Sequence, residues 1–574
     1  MKPWSSVLRM AEPPPPFDLS AAGLIERPEQ LARLQPPVRR VLARRFDVQA
    51  LADRICPVER EDGRVTVLAR AEYVGGDQAD ALVRRIQAAG YRLSDPARYV
   101  LPAALLLALS RDPRAAAGGR LSQADRTPTA LAGVFQDMVE WGVRQGASDL
   151  HLNVYRDAAQ SEVRFSVSGR YIAPARFSPM PTDLLMEVLA VAWMDIQGGN
   201  GAVFDPLQEQ QGSLQRRVDG RAYTLRWASL AAERGPSVCL RFLSRDREIQ
   251  ADGLDRLGYR PDQVACFDRV MRSEGGAIVL AGTVGSGKST TLAALIRALP
   301  AHRKVITLEE PVEYRIEGAV QNTISRDLDQ HARDRYAAKL RTLKRSAMSD
   351  VLLGEIRDVD SGLAFMDLAG SGVNLYTTVH APSASAIVDR LASAFIGVPR
   401  DFLRTPGVLK LLVYQVLLPR LCVRCAQPAS MPALQSRPPA RHDAAWWTQW
   451  LGWIAAGWGI AAADLRLRNP AGCAHCRLPQ LPELAGYQGR TVAAELLEPG
   501  LDDEPVPTGT DYLPHPSRSA FAHAMQKVAA GLVDPRDVES RFMAFETLTL
   551  RCRRRGIPLS AGADGPWAAG TDGP

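Results

Sequence analysis

No apolar run in this chain is long enough to cross a membrane. The best candidates, "YVLPAALLLALS" and "VLKLLVYQVLLP", reach about half of the roughly 20 residues a bilayer requires. The opening "MKPWSSVLRMAEPPPP" has no apolar core of the kind a secretory signal carries. Together these place the expected location in the cytoplasm, free or docked to a membrane from inside. No internal repeat is found, so a repeat architecture is not expected. Charge of one sign is not in large excess: 70 Lys and Arg stand against 63 Asp and Glu. A net charge of +7 permits an anionic partner and equally fits a solvated Arg-rich surface. No basic stripe is interleaved with aromatics and no helicase-type motif set is present, so nucleic acid is not the expected partner. The 574 residues, 46% hydrophobic and 23% charged, fit a soluble globular protein of about three or four domains.

Against these absences stands one complete motif. Gly282, Thr283, Val284, Gly285, Ser286, Gly287, Lys288 and Ser289 fit G-x-x-x-x-G-K-[ST], and Thr290 follows. The preceding "GAIVLAG" suits a buried parallel strand, and "TTLAALIRAL" has helical apolar spacing. Glycines let backbone N–H groups curl around an anion, and the helix N-terminus adds a favourable dipole. In such loops Lys288 sits against the β- and γ-phosphates of ATP and Ser289 ligates Mg²⁺. Residues 281–290 therefore read as a nucleoside triphosphate cradle.

Other acidic and basic groups stand at the ends of apolar strands. "VITLEEPVEY" brings Glu309, Glu310 and Glu313, and "DVLLGEIRD" brings Glu355. A carboxylate near a metal and a water can polarise that water or accept its proton. "NLYTTVHA" ends in His380, placed to sense the γ-phosphate or to bond a neighbouring strand end. From about residue 261 to 425 apolar strands alternate with helices, which implies a parallel sheet covered on both faces. Ahead of it "LAGVFQDMVEWGVRQG" reads as a helix, while "SDLHLNV", "EVRFSVSG", "RAYTLRWASL" and "SVCLRFLS" alternate like half-buried strands.

Four elements in this order, "GTVGSGKSTTL", "LEEPVEY", "GEIRD" and "TTVH", resemble the hexameric secretion ATPases of type II secretion and type IV pilus assembly. "ASDLHLN" with "VRFSVSG" and "LGYRPDQ" extend the likeness over about residues 130 to 500. The resemblance implies an α/β multidomain protein. Its P-loop (RecA-like) motor domain with a parallel sheet follows a smaller α+β domain and a mostly helical N-terminal region, and it carries a zinc-binding subdomain. The expected boundaries are a flexible N-terminus at 1–16, a mostly helical docking region at 17–115, an α+β domain at 125–247 and the motor at 255–421. A four-cysteine subdomain with a Trp-rich insertion follows at 422–498, then a helical region at 499–558 and a disordered tail at 559–574.

Cys422, Cys425, Cys473 and Cys476 form two C-x-x-C pairs able to clamp one structural Zn²⁺, or to remain as thiols or a redox pair; their pairing rests partly on the resemblance. Arg226 in "TLRWAS" and Arg241 in "CLRFL" match arginines that, in the family, close over the nucleotide; otherwise they are surface strand arginines. Arg164 is a third retained arginine. The chain also departs from the family. Glu310 stands where Asp or Asn is usual, Lys344 to Ser349 lack the usual Pro and Asp, and Ser166, Ser168 and Ser213 replace charged residues. This shifts weight for holding Mg²⁺ to Glu355, with Asp350 adjacent to the altered run. The stretch "AAWWTQWLGWIAAGWG" is unlike the family; its Trp446, Trp450 and Trp453 share a helix face, either packing the cysteine subdomain onto the motor or offering a docking surface. No phosphoryl-acceptor motif is present, so the energy of hydrolysis is expected to drive motion. The resemblance implies a homohexamer, peripheral at the inner membrane, that works against a platform protein to assemble pilin or pseudopilin. A nucleic-acid motor and a nucleotide-gated scaffold with little turnover are the alternatives.

Overall fold

The computed structural model describes residues 21–25, 30–31, 33–43, 45–46, 48, 54–101, 105–106, 109, 128–244, 253–310, 312–324, 338–435, 442–501 and 518–554. The stretches 1–16 and 559–574, expected to be flexible and disordered, lie outside them. The chain divides into two compact units, Met1–Leu243 and Ser244–Pro574.

The first sheet of the N-terminal unit contains β1 (Gly23–Leu24), β2 (Val38–Val41), β3 (Ile55–Arg60), β4 (Val65–Ala69) and β5 (Leu93–Val100), in the order β1-β5-β4-β3-β2. Helix α1 (Asp77–Ala88) packs Leu82 and Ile86 against Val65, Val67 and Ala69, while Leu68 joins Cys56 and Val58 in a second core on the other face. This corrects the expectation of a mostly helical region at 17–115. "ICPVER" and "VTVLA" are buried along their whole lengths, so they lack the polar alternation that would have marked them as strands. The hairpin signal was present in Glu61-Asp62-Gly63, where Gly63 turns the chain at φ +77°.

A second sheet follows. Helix α2 (Pro128–Arg144) precedes β6 (Ala147–Asn153), β7 (Gln160–Val167), β8 (Arg170–Ile172) and β9 (Met180–Pro181). Helix α3 (Thr182–Trp193) leads to β10 (Gln211–Val218), β11 (Arg221–Ala232) and β12 (Gly235–Ser244). The strands lie in the order β10-β11-β12-β6-β7-β8, with β9 paired to β7. Alternation decides the faces: Leu150, Leu152, Val163 and Phe165 are buried, and Trp141 of α2 meets the Phe165 ring at 4.6 Å.

In the C-terminal unit, α4 (Pro261–Met271) precedes β13 (Gly276–Ala281), α5 (Lys288–Arg297), β14 (Val305–Glu309), β15 (Ala319–Thr323) and β16 (Asp350–Leu353). Helix α6 (Val359–Ala369), β17 (Asn374–Val379) and β18 (Leu409–Leu421) follow. Next come β19 (Gln427–Pro428), α7 (Ala444–Trp458), β20 (Arg466–Leu467), β21 (Tyr487–Leu497), α8 (Ala520–Ala529), α9 (Pro535–Arg541) and α10 (Phe545–Arg554). The seven-stranded sheet runs β15-β14-β16-β17-β13-β18-β21, with only the β18–β21 pair antiparallel. It is covered on both faces: Ala277, Val279 and Ala281 of β13 enter one core, Ile278 and Leu280 the other. Strand β21 was expected inside the cysteine subdomain, but its pairing with β18 makes it part of the seven-stranded sheet.

The Trp-rich helix α7 is a core element. Trp450, Trp453, Ile454 and Trp458 pack with Val416 and Leu418 of β18, Phe521 of α8 and Phe545 of α10. Trp450 is fully buried and its indole Nε1–H donates to Glu539 Oε2 at 3.0 Å. The docking reading of Trp450 and Trp453 is therefore overturned, because the face they share is already covered.

Candidate active site

The sheet topology gathers the candidate residues. Strands β13, β14, β16 and β17 are parallel and in register, so the loops at their carboxyl ends open on one edge, where open α/β sheets bind ligands. After β13 the chain turns through Gly282, Gly285 and Gly287, all at positive φ, into α5. A Cβ at Gly282 would stand 2.3 Å from the Gln415 carbonyl, so only glycine fits there. Lys288, the first residue of α5, donates from Nζ to the Gly282 carbonyl at 2.9 Å and the Thr283 carbonyl at 3.2 Å. Burial lowers the pKa of this ammonium, against the attraction of the Glu355 and Glu313 carboxylates. Ser289 and Thr290 lie in the first turn, and Thr290 Oγ1 is 2.8 Å from the Tyr314 hydroxyl. Val284 faces solvent. The Ser286 hydroxyl is buried without a hydrogen-bond partner.

Around this loop stand the acidic groups and the histidine. Glu309 ends β14, and its Oε1 accepts from Thr307 Oγ1 at 2.6 Å and Gln321 Nε2 at 3.1 Å. Burial raises its carboxyl above the usual range, while those hydrogen bonds and the Glu313 N–H hold it down. Glu355 follows β16, and its Oε1 lies 2.9 Å from His380 Nε2. His380 follows β17 and places Nδ1 3.2 Å from the Gly282 carbonyl, so one imidazole bridges the carboxylate and the loop. Glu310 is reached by Arg357 at 3.4 Å. The glycine loop, its cation, the carboxylates and the orphaned Ser286 hydroxyl form an arrangement suited to a polyphosphate with Mg²⁺.

Four further residues rest on partners away from the loop. Asp350 opens β16 at the opposite end of the sheet and is locked to Arg303, so it has no place at the loop. Arg226 and Arg241 belong to the N-terminal unit: Arg226 pairs in register with Ser213, and Arg241 Nε donates to Asp149 Oδ1 at 2.9 Å. Arg164 is held by Glu162.

Several residues escaped sequence reasoning. Gln415 of β18 donates from Nε2 to the Ser286 carbonyl at 2.8 Å and accepts from the Tyr259 hydroxyl at 2.5 Å, steadying the loop from below. A glutamine inside the apolar run "LLVYQVLLP" was the available signal. Arg541, the last residue of α9, donates from Nη2 to Thr283 Oγ1 at 3.0 Å, and nothing local in the sequence announces it.

The four cysteines come together. Sγ distances are 3.9 Å for Cys422–Cys473, 3.6 Å for Cys425–Cys476 and 3.8 Å for Cys473–Cys476, and all four lie within 4.8 Å of one another. Tetrahedral Zn²⁺ with Zn–S bonds of about 2.3 Å requires sulfurs about 3.8 Å apart, so the set fits that ion. Burial pushes the Cys476 thiol up, but the N–H groups of Cys473 and Gly486 on its sulfur bring it down to about 7. No helix among the described residues is long and apolar enough to cross a membrane.

The chain is similar to several known proteins. A type II secretion system protein E of Pectobacterium carotovorum is 30% identical over 364 residues, covering 63% of this chain and 64% of that one. The type II secretion system ATPase E of Vibrio cholerae is 29% identical over 295 residues, covering 51% of this chain and 54% of that one. The matched stretch thus spans less than two thirds of the length of these relatives. The X-ray structure of the Legionella pneumophila ATPase DotB superposes with a TM-score of 0.45 at 16% identity, covering 74% of this chain and 97% of that one. Residues 124–534 match the profile of the type II/IV secretion system protein family, and the chain belongs to that family.

Proposed function

We propose that this chain is an ATP-hydrolysing motor that powers protein secretion or the assembly of pilin-like subunits. The observation that carries the reading is the convergence of the Gly282–Thr290 loop, Glu309, Glu355 and His380 on one edge of a parallel sheet. Lys288 exchanges its loop carbonyls for the β- and γ-phosphates when ATP enters. Ser289 and Glu355 would hold Mg²⁺, which would supply positive charge to the phosphate oxygens. Glu309, with Glu313 beside it, orients the attacking water, and burial raises its carboxyl, which favours its taking a proton. His380 reports the state of the γ-phosphate between Glu355 and the loop. Arg226 and Arg241 are proposed to lend guanidinium charge to the phosphoryl group in turnover.

Family membership supports a homohexameric ring, peripheral at the cytoplasmic side of an inner membrane, pressing on a platform protein. Steady-state ATP hydrolysis against protein concentration tests both parts of the reading. Specific activity should rise with concentration, and Lys288→Ala and Glu355→Gln should each lose about 100-fold or more. Turnover that survives both substitutions removes the site; flat specific activity removes the ring.

Cys422, Cys425, Cys473 and Cys476 are proposed to hold one structural Zn²⁺ through thiolates, fixing the segment between β18 and β21. Metal analysis should find Zn²⁺ bound to the purified chain and lost in Cys473→Ser. A metal-free chain of full thermal stability refutes this.

A further inference from the structure

We propose that Arg541 is a γ-phosphate-recognising residue, delivered to the nucleotide loop from within the same chain by helix α9. This rests on the nucleotide site proposed above and adds a recognition element from far along the sequence.

Two cations converge on Thr283. Lys288 Nζ donates to its carbonyl and Arg541 Nη2 to its hydroxyl at 3.0 Å. In a loop of this kind the lysine serves the β- and γ-phosphates, so the group on the same residue's hydroxyl stands at the same end of the ligand. Arg541 and Thr283 are both solvent-exposed, which leaves the guanidinium open to an incoming anion. A guanidinium carries five donors in a fork matched to phosphate oxygens, and Thr283 engages one nitrogen.

Helix α9 is built to hold that position. Asp534 caps it, accepting from the Arg536 N–H at 2.9 Å, and pairs with the Arg536 guanidinium in a buried contact. Asp537 accepts from the Tyr487 hydroxyl at 2.6 Å. Glu539 accepts from the Trp450 indole at 3.0 Å and from the Phe545 N–H at 2.9 Å. The Trp-rich helix α7 thereby gains a function its sequence did not reveal: Trp450 fixes the short helix that ends in Arg541.

The test is equilibrium binding of ATPγS and of ADP, each with Mg²⁺, to the full chain and to Arg541→Ala, Arg541→Lys and Thr283→Val. Arg541→Ala should weaken ATPγS about tenfold or more while leaving ADP within about twofold, the loss expected for one charge-assisted hydrogen bond. Arg541→Lys should recover part of the preference by restoring charge without the fork. Thr283→Val, which frees the arginine from its resting partner, should retain the preference for ATPγS. Equal weakening of both nucleotides in Arg541→Ala, or no change in either, overturns the proposal. Failure of the unsubstituted chain to bind either nucleotide overturns the proposed function itself.

Discussion

The two ends of the seven-stranded sheet carry similar side chains and treat them differently. At the end where β16 begins, Asp350 is completely buried and both its oxygens are taken: Arg303 donates at 2.7 Å to each, and Tyr376 adds a hydroxyl at 3.2 Å. Beside it Lys410 Nζ bonds Asn374 Oδ1 at 2.9 Å, and burial pushes this ammonium down to about 8. Lys410 also donates to the Val270 and Ser273 carbonyls, and Arg303 Nη1 to the Met271 carbonyl at 3.3 Å, so this network is closed. At the carboxyl end, Lys288 and His380 lean on carbonyls of the glycine loop, and the Ser286 hydroxyl has no partner. A backbone carbonyl is a partner that a phosphate can replace; a buried carboxylate bonded at both oxygens is not. Charge density therefore does not mark a functional edge by itself. What sets the carboxyl end apart is a lysine resting on glycine-loop carbonyls beside a buried hydroxyl without a partner.

Arg303→Met leaves the Asp350 carboxylate buried without its cation, and stability should fall by about 3–5 kcal/mol. Burial already raises the Asp350 carboxyl above its usual range with Arg303 in place, so the penalty of enclosing this charge is large. Adding Asp350→Leu to Arg303→Met should recover much of the loss, because the unpaired charge goes with it. Glu355→Gln at the open end should cost less than about 1 kcal/mol while abolishing turnover, since its carboxylate is more than a third exposed. Urea unfolding of the four proteins reads the stabilities, and ATP hydrolysis by Glu355→Gln reads the turnover. Equal losses at the two ends would mean that both are structural.

Legibility in the sequence follows the same division. The loop, Glu309, Glu355 and His380 could be read because each sits at a fixed offset from an apolar strand, and parallel topology then brings strand ends together. The four cysteines could be read because each pair occupies a single turn. The first sheet of the N-terminal unit could not, since the β3 and β4 runs are buried on both faces and lose the period of two. Gln415 lies 156 residues from Tyr259, and Arg541 lies 258 residues from Thr283. No local pattern encodes such contacts; packing of α9 on the Trp-rich helix creates the second of them. The tryptophans themselves were ambiguous because a helix stripe looks the same whether it meets a core or a partner.

A smaller effect sharpens the picture at β21, the antiparallel edge strand. His523 of α8 is buried, and its Nδ1 accepts the Ala494 N–H at 3.0 Å. Burial, with the charges of Lys527 and Arg260, pushes its pKa down to about 3. Below pH 6.5 the unfolded chain takes a proton that the folded imidazole refuses until about pH 3, so this group removes stability as pH falls through that window. Glu495 on β21 opposes it. Burial lifts that carboxyl to about 7, so the folded chain keeps a proton that the unfolded one has lost, and stability from this group rises as pH falls from 7 toward 4.5. The two partly cancel in the native chain, which is why a single pH profile would mislead. His523→Gln retains an acceptor for Ala494 and deletes only the titration. Between pH 6.5 and 4.5 the variant should gain about 2 kcal/mol on the native chain, read as diverging urea midpoints. Parallel midpoints would place the proton on His523 in the folded state, which the Ala494 N–H donating to Nδ1 opposes, and would overturn this assignment.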